Sequence, residues 1–269
     1  MVYIMLSSSQ DCRENREKSE ERLDFSAEIG VRIDGINTGS RKMTAKVVTV
    51  FNQKGGCGKT TITIQLAGTI ALRGFKTLVV DMDEQSTATR WASQAPDEEP
   101  FAAATMNLAA MGGKVHREIR NHLENYDFIF IDCPPAALSP APSSAMLISD
   151  LAIIPIVPAP ADMWASVAAK KLALTAQATN EQLQIRMLPN MVQKNTNLAK
   201  DTLEVLGEDE DIPLMKNWIG SRSAFRECQL TGSTVHKLGK SSAATKEVDK
   251  LTDEVLQILG ISTARRAKK

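Results

Sequence analysis

Strand-length apolar runs alternate along the chain with longer segments in which apolar residues recur at helical spacing. The strand-like runs cover residues 47–51, 77–80, 128–131, 151–154 and 185–188. Continuous apolar strands separated by helices are typical of a parallel sheet that is covered by helices on both faces. The pattern therefore predicts an α/β fold with a doubly wound, mostly parallel sheet.

The segments between these runs have apolar positions at helical spacing. The first predicted helix ends before Gly74, because glycine commonly terminates helices. The predicted helices cover residues 60–72, 114–124, 163–178, 196–206 and 243–259.

Residues 1–43 do not share this alternation. Residues 11–22 are dense in charges of both signs, and the apolar positions that follow have no firm period. Such a composition favours a disordered or partly helical extension, and Met43 is an alternative natural start. The sequence thus divides into an extension (1–43), one main domain (44–262) and a basic tail (263–269).

Charge and composition limit the classes of partner. The 269 residues are 43% hydrophobic and 24% charged, and the formal net charge is zero, which is ordinary for a soluble globular protein. The protein has no global basic field to draw it to nucleic acid or anionic lipid. Binding of that kind would depend on a local patch or on dimerisation.

The cysteines and the lengths of the apolar runs indicate the cellular compartment of the protein. Cys12, Cys57, Cys133 and Cys228 form no CxxC pair, which disfavours a zinc ribbon or an iron–sulfur cluster. The start lacks the features of a secretory signal, and the apolar runs are too short to span a bilayer. These features predict a reduced, cytoplasmic protein.

A glycine-rich loop at residues 54–61, with the sequence Lys-Gly-Gly-Cys-Gly-Lys-Thr-Thr, lies between the first strand and the first helix. Its glycines let backbone N–H groups approach a phosphate, and the helix N-terminus favours an anion. Lys59 can bridge β- and γ-phosphates, and the Thr60 hydroxyl is placed for Mg²⁺. The ordinary pattern has glycine at the position of Gln53, and Lys54 is a second lysine in the loop.

Carboxylates follow two further strands. Asp132 ends one apolar run, and Asp81 and Asp83 follow another. Ligands in such sheets bind at the carboxyl ends of the strands, where Asp132 can hold the Mg²⁺ shell and the carboxylates near residue 81 can orient water. An aspartate there can also serve only as a helix cap or turn former.

Three motifs in this order resemble those of the ParA/MinD group of P-loop ATPases with a deviant Walker A sequence. Residues 54–61 resemble the deviant Walker A motif, and residues 81–85 resemble Asp-x-Asp-Pro-Gln, with Glu84 in place of proline. Residues 132–135 match the Asp-x-Pro-Pro Walker B segment. The likeness extends over about residues 45–260, with softer matches at 155–164 and 222–235. It implies that residues 44–262 form a P-loop ATPase domain.

The resemblance implies ATP and Mg²⁺ as cofactors and a homodimer bridged by ATP. It implies that Lys54 reaches across the dimer to the partner's phosphates, that Asp83 positions the attacking water, and that Asp132 contacts Mg²⁺ through water. It implies catalytic roles for Lys54, Lys59 and Asp83, and metal roles for Thr60 and Asp132. The implied nucleotide-binding residues are Lys54, Gly55, Gly56, Cys57, Gly58, Lys59, Thr60, Thr61 and Asn190.

The leading hypothesis from the resemblance is a ParA-type ATPase for plasmid or chromosome partition. In that family the ATP-bound dimer binds DNA without sequence preference, associates with the nucleoid, and is released when a ParB-like partner stimulates hydrolysis. Lys and Arg contacts to the DNA backbone make such binding sensitive to salt. The candidate DNA-binding residues are Arg222, Arg226, Lys237 and Lys240, with Arg265, Arg266, Lys268 and Lys269 in the tail.

Three alternatives remain open. A related ATPase can position another cargo, such as a carboxysome or a chemoreceptor array. A MinD-like ATPase that cycles on the membrane is disfavoured, because the chain after Ile261 is basic with almost no large apolar residue. An ATPase related to the nitrogenase iron protein needs paired cysteines at a dimer interface, whereas Cys57 and Cys133 are more typical of packing residues.

Overall fold

The computed structural model describes residues 44–135, 139–194 and 196–262. The extension at 1–43, the alternative start at Met43 and the basic tail at 263–269 lie outside the described residues. The candidate DNA contacts of the tail therefore stay predictions.

Six parallel strands form a single sheet in the order β3-β2-β4-β1-β5-β6. The prediction of a doubly wound, parallel sheet is confirmed. The strands are β1 (Lys46–Val50), β2 (Thr77–Asp81), β3 (Ala104–Asn107), β4 (Phe128–Asp132), β5 (Leu151–Ile156) and β6 (Gln184–Pro189).

Helices connect the strands and cover both faces of the sheet. They are α1 (Lys59–Leu72), α2 (Thr87–Ser93), α3 (Val115–Arg120), α4 (Ala141–Met146), α5 (Pro160–Gln177), α6 (Asn197–Gly207), α7 (Ala224–Leu230) and α8 (Ala243–Ile258). Short 3-10 helices lie at Ala109–Lys114 and Val235–Leu238.

The predicted helices differ from the observed ones mainly where the chain turns tightly. The helix predicted at 114–124 is only the six-residue α3, because the chain before it is a 3-10 helix and turns follow. Helix α5 begins three residues before its predicted start, with Pro160 at its N-terminus, where a missing N–H costs nothing. Strand β3 and the short helices α2, α4 and α7 were not predicted.

The core has two layers because successive side chains of a strand point to opposite faces. On β4, Phe128 and Phe130 pack with α1 and α8 on one face, whereas Ile129 and Ile131 pack with α3, α4 and α5 on the other. All four are at most 1% exposed, and each contributes about 1.5–3 kcal/mol relative to an exposed side chain. The two layers fix the carboxyl ends of β1, β2 and β4 side by side.

Within the described ranges, the structure contains no helix with the length and apolar character needed to span a bilayer.

Candidate nucleotide-binding site

The glycine-rich loop connects β1 to α1 at the carboxyl edge of the sheet. Gly58 has a φ of 88°, in the left-handed region that favours glycine, and α1 begins at the next residue. No side chain caps the first turn of α1. The backbone N–H groups of this turn are thus available to an anion, as at phosphate-binding helix N-termini.

Lys59 lies inside this loop. Its side chain is buried, at 6% exposure, and its Nζ donates a hydrogen bond of 2.9 Å to the Lys54 carbonyl oxygen. An ammonium group buried beside unpaired helix N–H groups creates a strongly positive concavity. That electrostatic character suits a polyphosphate.

Asp132 ends β4 directly opposite the start of α1. The Thr60 hydroxyl donates a 2.7 Å hydrogen bond to Asp132 Oδ2, so the two predicted metal residues are in contact. The pKa of Asp132 is raised to about 7, mainly by burial; the Thr60 hydrogen bond opposes this shift, and the neighbouring Asp81 carboxylate contributes to it. A divalent cation at this position would favour the charged form of Asp132.

Asp81 and Asp83 differ in surroundings. Asp81 is fully buried and accepts hydrogen bonds from the Thr89 backbone N–H and hydroxyl and from the Asp83 N–H. It therefore fastens the turn between β2 and α2, which is the capping role weighed from the sequence. Among the described residues, the carboxylate of the half-buried Asp83 accepts a hydrogen bond from the Gln85 N–H alone, which leaves Asp83 better placed to contact water.

Lys54 does not point into the loop with Lys59. Its Nζ forms an ion pair of 2.7 Å with Asp162 Oδ1, and its side chain is 37% exposed. Asp162 lies in the first turn of α5, so the pair connects the loop to the helix after β5. The two lysines of the loop thus have separate environments.

Asn190 follows β6 and is buried at 2% exposure. Its Nδ2 donates a 2.7 Å hydrogen bond to the Cys57 carbonyl oxygen, so it contacts the phosphate loop itself. Its predicted role as a nucleotide-binding residue stays a prediction.

Two residues of this site were not predicted. Asn52 is buried, accepts the Lys54 N–H at 3.1 Å and donates to the Pro155 carbonyl at 2.9 Å, thereby holding the start of the loop to β5. Asp162 is the other. A polar asparagine directly after an apolar strand was a signal for the first, whereas nothing in the local sequence marks the second.

The four candidate DNA-binding residues have different surroundings. Arg222 forms a two-pronged ion pair with Glu247, at 2.9 and 2.5 Å, and Lys237 pairs with Glu99 at 3.2 Å. Arg226 and Lys240 are exposed, and their side chains have no recorded partner among the described residues. Because its charge is neutralised within the chain, Arg222 is the weakest of the four as a DNA contact.

The two cysteines of this site, Cys57 and Cys133, are buried. Cys57 and Cys133 are each 1% exposed, and burial raises the pKa of both thiols. The part of the chain that the structure describes has no cluster of three or more His, Cys, Asp or Glu side chains suited to a metal ion. Buried thiols of this kind act as small packing residues.

Comparison with known proteins connects this geometry to a family. A family profile described as the CobQ/CobB/MinD/ParA nucleotide binding domain matches residues 48–235. The Maintenance of carboxysome distribution protein A of Halothiobacillus neapolitanus is 28% identical over 216 residues, which are 79% of this chain and 97% of that protein. The Sporulation initiation inhibitor protein Soj of Bacillus subtilis is 31% identical over 147 residues, 41% of this chain and 58% of Soj.

Solved structures share the fold. An ATP complex of McdA from Cyanothece has a TM-score of 0.66 at 15% identity and covers 81% of this chain and 98% of its own. The septum site-determining protein MinD from Pyrococcus horikoshii, in complex with Mg-ADP, has a TM-score of 0.62 at 23% identity and covers 82% of this chain and 100% of its own. At these identities the likeness establishes the architecture alone.

Proposed function

This chain belongs to the CobQ/CobB/MinD/ParA family of nucleotide-binding domains, and we propose that it is a positioning ATPase that works as an ATP-bridged dimer on DNA. It is an ATPase of the ParA/MinD type, and its cofactors are ATP and Mg²⁺. The dimer, the DNA and the cargo belong to the proposal.

The observation that carries the proposal is the separation of Lys54 from Lys59. Lys59 is buried in the loop, whereas Lys54 is directed to Asp162 and is 37% exposed. A cation at the rim of the site is accessible to a second molecule. ATP would then bind cations from two subunits, and charge-assisted contacts of this kind make the nucleotide stabilise the dimer.

The residues of one subunit fit Mg-ATP in this proposal. The first turn of α1 and Lys59 hold the phosphates, and Thr60 and Asp132 hold the Mg²⁺ shell, since the two are already in contact. Asp83 orients the attacking water from its half-buried position at the end of β2. Bound Mg²⁺ supplies electrostatic stabilisation of the developing phosphate charge.

Lys54→Ala and Asp83→Ala test the assignment of the dimer. We expect Lys54→Ala to lose the ATP-dependent dimer, and Asp83→Ala to retain the dimer while its hydrolysis slows. Light scattering with no nucleotide, ADP and ATP measures the mass, and phosphate release measures turnover. Lys76→Ala, at an exposed lysine outside the site, is the matched control. A Lys54→Ala protein that dimerises with ATP and hydrolyses it like the control would refute the cross-subunit role.

DNA binding is the output that we propose for the dimer. ParA/MinD-like ATPases typically dimerise with ATP, and two copies would double any basic patch on a chain of zero formal net charge. Backbone contacts predict an affinity that requires ATP and falls with salt. A gel shift on nonspecific DNA with no nucleotide, ADP and ATP measures both properties. Equal affinities in all three states would remove DNA from the proposal, as would affinity that is insensitive to salt.

The cargo that we propose first is a carboxysome, with a ParB-like protein as the stimulating partner. The relative named for carboxysome distribution is matched over 97% of its length, whereas Soj is matched over 58%. Plasmid or chromosome partition is the second candidate, favoured by the higher local identity to Soj, at 31%. Deletion of the gene for this protein in its native host distinguishes the two cargoes. Clustered carboxysomes in the deletion strain would support the first, and loss of a plasmid or chromosome would support the second.

A further inference from the structure

Asn190 lies in a short segment that is held from both sides. Its backbone N–H donates to the Ile156 carbonyl at the end of β5, at 2.9 Å. The neighbouring Val192 N–H donates to the Ile219 carbonyl at 2.9 Å, and the Ser221 N–H donates back to Val192 at 3.2 Å. The position of the Asn190 side chain is therefore fixed by a sheet end and by a loop further along the chain.

The Asn190 amide packs directly on the left-handed turn of the phosphate loop. Its Nδ2 bonds the Cys57 carbonyl at 2.7 Å, and a Cβ atom built on Gly58 would lie only 2.2 Å from the same nitrogen. Gly58 thus meets two requirements, its φ of 88° and this close approach. The carbonyl and the glycine that Asn190 touches immediately precede Lys59.

The next residue shows backbone strain at the same place. Met191 has a φ of 55°, a conformation uncommon for a residue with a side chain. Its Cε would lie 3.4 Å from a Cβ atom on Gly58. Strained residues persist where the surrounding structure over-determines them, and they concentrate at functional sites. Asn190 and Met191 together cover the glycine at which the loop turns into α1.

We propose that Asn190 is a positioning residue that holds the phosphate loop in its anion-binding form, independently of any contact with the base. The inference rests on the proposed nucleotide site and adds a mechanism to it. By fixing the Cys57 carbonyl, the amide sets the direction of the peptide groups that lead into the first turn of α1. The segment after β6 and the phosphate loop then form one unit, so that a change in one is transmitted to the other.

Tripolyphosphate separates this role from an adenine contact, because it has the phosphates of ATP without the base. Binding of Mg-ATP and of Mg-tripolyphosphate to Asn190→Ala would be measured by calorimetry. We expect both affinities to fall by about tenfold, as for the loss of a buried hydrogen bond that leaves a carbonyl unpaired. Asn125→Ala, at an exposed asparagine far from the loop, is the matched control and is expected to bind both ligands like wild type.

Hydrogen exchange of the nucleotide-free proteins gives a second readout. We expect faster exchange at the amides of residues 57–61 in Asn190→Ala than in Asn125→Ala, with the rest of the sheet unchanged. Should Asn190→Ala fail to fold, Asn190→Ser replaces it, because its shorter side chain ends before the Cys57 carbonyl. Unchanged loop exchange, or a tripolyphosphate affinity equal to the control while ATP binding weakens, overturns the proposal. Wild type that binds neither ligand would instead refute the nucleotide site itself.

Discussion

The carboxyl edge of the sheet and the C-terminal segment at residues 222–240 carry charge in opposite ways. At the edge, Lys59, Asp81 and Asp132 are at most 6% exposed. Each forms a hydrogen bond of 2.7–2.9 Å: Lys59 donates to the Lys54 carbonyl, Asp81 accepts from the Thr89 N–H, and Asp132 accepts from the Thr60 hydroxyl. In the C-terminal segment the basic side chains lie at the surface or pair with acids such as Glu247. Charges at the edge are fixed by the fold, whereas those of the segment depend on solvent and salt.

The difference shows what each kind of charge can support. Burial of an ionised group without a partner is costly, so a cluster of buried ionisable groups indicates a candidate ligand-binding site. Exposed charges are ordinary on any soluble protein and identify a partner only through salt-dependent measurements. The proposed nucleotide site therefore rests on geometry, whereas the proposed DNA surface needs experiments on each residue.

The largest expected effect comes from removing the buried cation at the edge. Lys59→Ala is expected to lower ATP turnover by about 100-fold or more, because a fixed charge that stabilises the reacting phosphate is lost. Phosphate release at saturating ATP measures the effect, with exposed Lys76→Ala as the control. Turnover within twofold of the control would contradict the comparison, since the buried charge of Lys59 would then contribute little to ATP hydrolysis.

The second effect concerns pH and the nucleotide-free, metal-free protein. Because the folded protein holds the pKa of Asp132 at about 7, above its ordinary 3.8, the protonated carboxyl stabilises the fold at low pH. That contribution to stability is lost as the pH rises from about 4 to about 7. We expect the melting temperature of wild type to fall between pH 5 and pH 8 by about 2–4 °C or more relative to Asp132→Asn, in EDTA. Parallel profiles for the two proteins would contradict the raised pKa, and exposed Asp211→Asn is the control.

A third, smaller effect sharpens the description of the surface segment. The double variant Arg226→Ala/Lys240→Ala is expected to weaken ATP-dependent DNA binding several-fold and to reduce the salt slope by about one for each phosphate contact that is lost. Fluorescence anisotropy across a salt series measures both. If the slope does not change, these exposed residues make no phosphate contacts and the patch lies elsewhere.

The smallest effect is expected at the paired arginine. Arg222→Ala is expected to lower the free energy of unfolding by about 1 kcal/mol, because the ion pair with Glu247 is 35% exposed on the arginine side and partly screened. Denaturant titration measures it, and the same protein is expected to bind DNA like wild type. A large loss of DNA affinity with unchanged stability would move Arg222 into the DNA-binding surface.

Much of the fold could be predicted because burial leaves a strong pattern in the sequence. The five predicted strands all lie in the sheet and are nearly continuous apolar runs. Strand β3 was missed because most of its residues are exposed and it lies at the edge of the sheet, where little apolar pattern is required. The short helices α2, α4 and α7 are set by tertiary contacts rather than by local periodicity.

Some contacts of the candidate site could likewise be predicted from the sequence, and others could not. The contact between Thr60 and Asp132 follows from motifs at the ends of adjacent strands, and it is present. The pairing of Lys54 with Asp162 could not be predicted, because it joins residues that are distant along the chain and meet only through the packing of α5. The role of Asn190 on the loop carbonyl was hidden for the same reason, since a buried amide after a strand has many local uses.

The order of the strands explains why a crevice lies at the carboxyl ends of β1, β4 and β5. Strand β1 lies between β4 and β5, so the chain leaves the middle of the sheet toward β2 on one side and continues from β5 to β6 on the other. At such a topological switch point the connections diverge and leave a crevice beyond the strand ends. The crevice is a property of the winding itself. Substitutions at the surface can therefore change what the protein contacts without disturbing the crevice at the strand ends.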